Sequence, residues 1–287
     1  MTNTVPYFIL FMFGAIGCFH ANASTELVVP KAKMADLVVG EQLTFDSKVL
    51  HESRTLNIRL PEAYQSRMSE TFPVIVVLDG GLDEDFMHIA GLTQFLSFPW
   101  IKHIPESIVV GIKNVDRKRD FTFVTTDERD KKDFPTTGHS AEFIQFLEQE
   151  LMPLLEQQYR VSDIKVLMGQ SLGGLLATEI LLKHSTLFTH YLIVSPSMWW
   201  DNGSLFEQIA SSDASFNRTF IAVGKEGKIM EEDATKLHDK LVEKFANKPI
   251  GFQFYPELNH GDALHKAAYD GLSFLFKEPE AKTKQPL

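Results

Sequence analysis

The sequence predicts one α/β domain built on a mostly parallel sheet, with helices on both faces and an antiparallel hairpin at its start. Two observations carry this. Short continuous apolar runs, typical of strands buried on both faces, recur along the chain. Between them lie segments whose apolar residues repeat at i, i+3, i+4 spacing, so strand and helix alternate.

The opening hairpin is predicted at Leu43–Leu50 and Thr55–Leu60, the second strand showing strict alternation in Thr55-Leu56-Asn57-Ile58-Arg59-Leu60. The runs Pro73–Asp79, Ser107–Ile112, Ile164–Met168, Tyr191–Val194 and Thr219–Val223 read as central strands, and Gly251–Tyr255 as a last, more alternating one. Helices are predicted from the Phe143, Ile144, Phe146, Leu147, Leu151, Leu154 and Leu155 stripe, and from Leu172–Leu182, apolar nearly all round. Glu231–Phe245 is a charged surface helix with a Leu237, Leu241, Phe245 stripe, and Ala263–Phe276 closes the fold. Residues 113–138, rich in charge, read as a long excursion over the strand ends, where loops of parallel sheets carry function.

Lys and Arg number 28 against 38 Asp and Glu, a formal charge of −10. An acidic chain with no basic block is a poor general ligand for nucleic acid or anionic membranes, so neither is expected as a partner. Residues 1–23 hold no Asp, Glu, Lys or Arg, and the apolar stretch Tyr7–Phe13 leads to Ala21-Asn22-Ala23, a small-x-small cleavage pattern. A secretory signal peptide over 1–23 is therefore expected, cleaved after Ala23, with the mature protein periplasmic or secreted and not stably inserted in the membrane. A retained N-terminal anchor is the alternative. Cys18 is the single cysteine, so the mature chain has none to pair; Ala15-Ile16-Gly17-Cys18 loosely resembles a lipoprotein-processing site. The domain is expected to occupy residues 24–276, followed by a polar tail at 277–287.

Gly169-Gln170-Ser171-Leu172-Gly173 is a G-x-S-x-G motif with an apolar strand running in and a helix running out. That context is a nucleophile elbow, whose tight turn lifts the serine hydroxyl to the strand ends and demands glycines two residues either side. Leu172 N–H, at the helix start, is then a candidate oxyanion donor. A serine needs a base near neutral pH, and His260, in the loop after the last strand, is the candidate, with His265 in reserve. An acid following the penultimate strand would fix the imidazole tautomer. Glu226 stands there, with Asp201, Glu231, Glu232, Asp233, or no acid at all, as alternatives. The second oxyanion donor is assigned to Gly81 N–H, in Asp79-Gly80-Gly81 after the first central strand. Trp199 and Trp200 either wall an acyl or aromatic pocket, or divide between core and loop.

These blocks together resemble the putative-esterase family of α/β-hydrolases, which includes esterase D, feruloyl esterases and enterochelin esterases, and they are most similar to its periplasmic siderophore-esterase-like branch. The likeness runs through Leu78-Asp79-Gly80, Arg117-Lys118-Arg119-Asp120-Phe121-Thr122, Thr137-Gly138, Gly169–Gly174, Ser195-Pro196-Ser197-Met198-Trp199-Trp200 and Asn259-His260, over roughly residues 40–276. It implies an α/β-hydrolase sheet and hydrolysis of a small-molecule ester through an acyl-enzyme, with no metal and no organic cofactor. It also implies a substrate-binding arginine at Arg117, for which an ion pair is the plainer reading. Phe123 and Gly81 depart from the branch, which usually has proline and asparagine there. A trilactone siderophore is the leading expected substrate, ahead of short acyl or aryl esters. An acyltransferase on the same site and a non-catalytic ligand-binding homologue are the alternatives.

Overall fold

The computed structural model describes residues 30–277. The expected signal peptide, Cys18, and all but the first residue of the expected tail lie outside them. Contacts divide the chain into two units, Met1–Leu37 and Val38–Leu287, and the architecture below is that of the second.

Strands β1 (Glu41–Ser47) and β2 (Glu52–Arg59) pair antiparallel, with Glu41 opposite Ile58. The first strand ends three residues before the predicted Leu50. The Lys48 and Val49 N–H groups leave the ladder to donate to the Glu150 carboxylate, and His51 turns the chain at φ 53°. Next come β3 (Phe72–Val77), helix α1 (Phe86–Ser97) and β4 (Ile108–Ile112). Helix α1 was not predicted. Its buried residues Phe86, Ile89, Ala90, Thr93 and Leu96 do keep helical spacing, but Met87 and Phe95 put apolar side chains on the exposed face and blur the stripe.

The excursion after β4 carries two short helices, α2 (Arg117–Asp120) and α3 (Glu128–Asp133). It is anchored by charge: Asp120 meets Arg54 at 2.6 Å with both side chains 1% exposed, and Arg119 bridges Asp120 and Glu52. Helices α4 (Ser140–Phe146) and α5 (Met152–Gln158) run on through a π-helical turn at Leu147–Leu151. Then follow β5 (Val161–Gln170), α6 (Leu172–Lys183), β6 (His190–Val194), α7 (Leu205–Gln208), β7 (Arg218–Gly224), α8 (Lys228–Lys244), β8 (Ile250–Tyr255) and α9 (Ala263–Leu275).

All eight strands form one sheet in the order β1-β2-β4-β3-β5-β6-β7-β8. From β4 onward across the sheet every pairing is parallel. Residues of one strand serve opposite faces. Val74 and Val76 join the core under α4, α5, α6 and α8, while Ile75 and Val77 join the core under α1 and α9. The chain builds β4 to one side of β3 and β5 to the other. Their divergence makes the carboxyl ends of β3 and β5 a topological switch point, the place where open α/β sheets bind ligands. This is an α/β-hydrolase-type fold, as the sequence predicts.

Candidate active site

Three non-glycine residues hold left-handed backbone at this edge: Asp79 after β3 (φ 55°), Ser171 after β5 (φ 59°) and Ser195 after β6 (φ 45°). Such conformations cost of order 1–3 kcal/mol each and persist where the surroundings over-determine them. Ser171 sits between the last residue of β5 and the first of α6. Its N–H donates to Val194 O at 3.0 Å, and its C=O accepts from Ser197 N at 3.1 Å. The turn is as tight as the motif requires on one side: a Cβ on Gly169 would lie 2.4 Å from Gly173 O. Gly173 differs from expectation, since a Cβ there meets Asp79 Oδ2 at 3.4 Å, an ordinary contact.

The Ser171 hydroxyl faces an open cavity of about 520 Å³ lined by Ser197, Trp199, Lys225, Glu226, Met230, Asn259 and His260. Its hydrogen-bond partner is Ser197 Oγ, at 3.3 Å. Ser197 was not singled out in the sequence, although it lies within the Ser195–Trp200 block.

Glu226 and His260 meet directly, Nδ1 to Oε2 at 2.5 Å. The Glu226 side chain is 2% exposed and the His260 side chain 48%. The other carboxylate oxygen accepts from Ser195 Oγ at 2.5 Å and Gly224 N at 2.9 Å. Burial pushes the Glu226 carboxyl up, but hydrogen bonds from His260, Ser195 and Gly224 outweigh it and hold the group below the usual carboxylate range. It is therefore ionised at neutral pH. The loop bearing His260 is clamped from β5, since Gln170 Nε2 donates to His260 O at 2.6 Å. It is clamped from β7 as well: Lys225 N–H donates to Leu258 O, and a Cβ on Gly224 would stand 2.7 Å from that same oxygen.

The alternative acids are engaged elsewhere. Glu231 accepts the Glu226 and Gly227 N–H groups and pairs with Lys225. Asp201 accepts from Thr126 N and from the Thr125 and Thr126 hydroxyls. Glu232 pairs with Lys228 within α8, and burial raises the Asp233 carboxyl above its ordinary range. The reserve base His265 bonds His88 instead, Nδ1 to Nε2 at 3.2 Å.

Leu172 occupies the first position of α6, where a helix leaves its N–H groups without intrahelical partners. Gly81 departs from its expected role here. Its N–H donates to Glu84 Oε2 at 2.6 Å, a local bond three residues on, so the carboxylate fills the donor's direction. Gly80 N–H is tied to Ile112 O.

Arg117 is held as an ion pair. It grips Asp79 with two bonds, Nε at 2.7 Å and Nη2 at 3.0 Å, and Asn114 links Asp79 to Glu84. It is not among the residues lining the Ser171 cavity. Trp199 does line that cavity, but Trp200 does not: it is fully buried, packs edge-on against Phe134, and donates Nε1–H to Phe123 O at 3.0 Å. The adjacent tryptophans thus divide between pocket wall and core, which removes Trp200 from the substrate-binding set.

Among the described residues no cluster of three or more His, Cys, Asp or Glu side chains is arranged to hold a metal ion, and no helix is long and apolar enough to cross a membrane. The arrangement brings a hydroxyl on a strained turn, an imidazole, and an ionised carboxylate on that imidazole to one cavity. Such groups suit nucleophilic acyl chemistry.

The family described as "Putative esterase" matches residues 47–260. A structure of an IroE-like serine hydrolase from Shewanella oneidensis is similar over 83% of this chain and 80% of that one, with 33% identity and a TM-score of 0.74. The BES protein from Bacillus cereus is similar over 87% and 99% of the two chains, with 25% identity and a TM-score of 0.73. Ferri-bacillibactin esterase BesA of Bacillus subtilis (strain 168) is 29% identical over 163 residues, which are 53% of this chain and 56% of that relative. The match thus spans little more than half of that curated relative's length.

Proposed function

The chain belongs to the putative-esterase family, and from that premise we propose that it is a serine esterase acting through Ser171, His260 and Glu226. The observation that carries the reading is the contact of His260 with the buried, ionised Glu226 beside the strained Ser171, all on one cavity.

Glu226 accepts the Nδ1 proton of His260, which leaves Nε2 unprotonated and basic. The Ser171 hydroxyl turns from Ser197 to that nitrogen, since such bonds tighten only when substrate is bound. Ser171 Oγ attacks the ester carbonyl and gives its proton to His260. The ester C–O bond breaks, His260 returns the proton to the leaving alcohol, and an acyl-Ser171 remains. Water then attacks, with His260 again as base, to release the acid. Leu172 N–H supplies one oxyanion bond. Gly81 N–H supplies a second only after the Glu84 carboxylate has moved off it.

The substrate proposed is a trilactone siderophore. Similarity to a ferri-bacillibactin esterase supports it, and Trp199 on the cavity wall suits an aromatic acyl group. The uncharged apolar N-terminus and Ala21-Asn22-Ala23 support export as the setting. The test is to incubate the chain with a cyclic triscatecholate trilactone and with its Ser171→Ala variant, and to follow products by mass spectrometry. Linear trimer, dimer and monomer acids are expected from the wild type alone. Intact trilactone beside rapid hydrolysis of short aryl esters would overturn the substrate. Transfer to an added alcohol in preference to water would overturn hydrolysis.

A further inference from the structure

His88 is the third residue of α1 and His265 the third of α9, and neither takes part in the site above. The two helices pack side by side over the same face of the sheet. Their first turns bring the imidazoles together, with ring centroids 4.9 Å apart and His88 Nε2 3.2 Å from His265 Nδ1. We propose that His88 and His265 form a two-imidazole site for one divalent transition-metal ion, copper(II) before nickel(II) or zinc(II), bridging α1 to α9.

The separation is the argument. Metal–imidazole bonds of about 2.0–2.1 Å at a tetrahedral angle set the two nitrogens about 3.3 Å apart, and a right angle sets them about 2.9 Å apart. The observed 3.2 Å lies between these, so the two nitrogens already stand at the spacing that one shared ion requires. His265 is exposed and His88 half-buried, which leaves room for water to complete the coordination. The cation would sit at two helix N-termini, whose dipoles oppose it. The cap residues Asp85 and Asp262 set a carboxylate beside each start and offset that effect. Imidazole is a borderline ligand, so the Irving–Williams order places copper first, and magnesium, which prefers oxygen ligands, is not expected to bind.

The site has a structural consequence. α1 follows the Asp79–Gly81 loop, and α9 follows the loop of His260. An ion on both helices would tie these two loops together from behind.

The test titrates the untagged full chain with copper(II), nickel(II), zinc(II) and magnesium(II) by calorimetry, beside His88→Ala, His265→Ala and His260→Ala. One copper ion is expected per chain, bound more tightly than nickel or zinc, with no magnesium binding. Each of the first two variants should weaken copper binding by about tenfold or more, while His260→Ala should not. The bound copper should show electron-spin couplings to two imidazole nitrogens, reduced to one in either variant. Because His265 is solvent-exposed, its variant is expected to fold with an unchanged melting temperature in the absence of metal. Copper binding of equal strength in both variants, or no uptake by the wild type at millimolar metal, would overturn the site.

Discussion

Replacing Glu226 by Gln probes the acid by a route that the hydrogen-bond geometry makes specific. One Glu226 oxygen accepts from two donors, Ser195 Oγ and Gly224 N–H, and the other meets His260 Nδ1. An amide in the same place must keep its oxygen toward the two donors, because its NH₂ group cannot accept from them. The NH₂ then faces Nδ1 and donates to it. That forces the proton of neutral His260 onto Nε2, where it cannot take the Ser171 proton. Shape, burial and three hydrogen bonds survive, so the fold should too. Loss of the correct tautomer in a serine triad lowers turnover by about 10⁴, equivalent to about 5.5 kcal/mol of barrier. The assay is kcat on a p-nitrophenyl ester, with circular dichroism to verify folding and Asp201→Asn as a control. Asp201 bonds Thr125, Thr126 and Ser204 and does not line the Ser171 cavity, so its variant should lose little activity. A folded Glu226→Gln protein within tenfold of the wild type would refute the tautomer argument and remove Glu226 from the mechanism.

Trp200→Ala should cost about 3–5 kcal/mol of stability, read in a denaturant melt, because it empties a fully buried site. Trp199→Ala should cost far less and act on KM for aromatic esters. Glu84→Ala should leave kcat unchanged or raise it, since it frees Gly81 N–H. A fall of about 10²-fold, the value of one oxyanion donor, would instead show that Glu84 holds the loop in working shape. The Asp85 carboxyl is pushed up to about 6 by burial and by the charges of Asp79 and Glu84, with Arg117 opposing. Its folded form binds protons more tightly than the unfolded chain, so it destabilises the protein progressively as pH rises from about 4 to 6, and by a constant amount above that. Asp85→Asn should therefore stabilise the protein at pH 8 by about 1 kcal/mol after allowance for solvent screening, read as a higher melting temperature, with the gain gone near pH 4.

Much of this was legible in the sequence because buried strands leave strong local marks. Each of the five central runs falls on a strand, and Ile164–Met168 leads into Ser171 as a nucleophile elbow requires. His260 and Glu226 could be placed because chain order in such sheets fixes which loops reach the crevice. What stayed hidden depends on contacts between distant residues. The divergent fates of Trp199 and Trp200 hinge on Phe123 and Phe134, far off in sequence. An ion pair is the plainer sequence reading of Arg117, but its partner, Asp79, shows only once the two loops are placed side by side. Gly81 and Glu84 are only three residues apart, yet nothing in composition distinguishes a donor left open from one closed by a neighbour's carboxylate. Helix α1 escaped notice because its exposed face is partly apolar. Ser197 lay inside a recognised block, but its bond to Ser171 arises only from the turn at Ser195.

The most direct test of the account is turnover of a short p-nitrophenyl ester by the wild type, Ser171→Ala and His260→Ala. A working serine–histidine unit predicts a fall in kcat of about 10⁴–10⁶ for each variant, with both still folded. Equal rates in all three proteins, or a folded wild type inactive across a broad panel of esters, would contradict it.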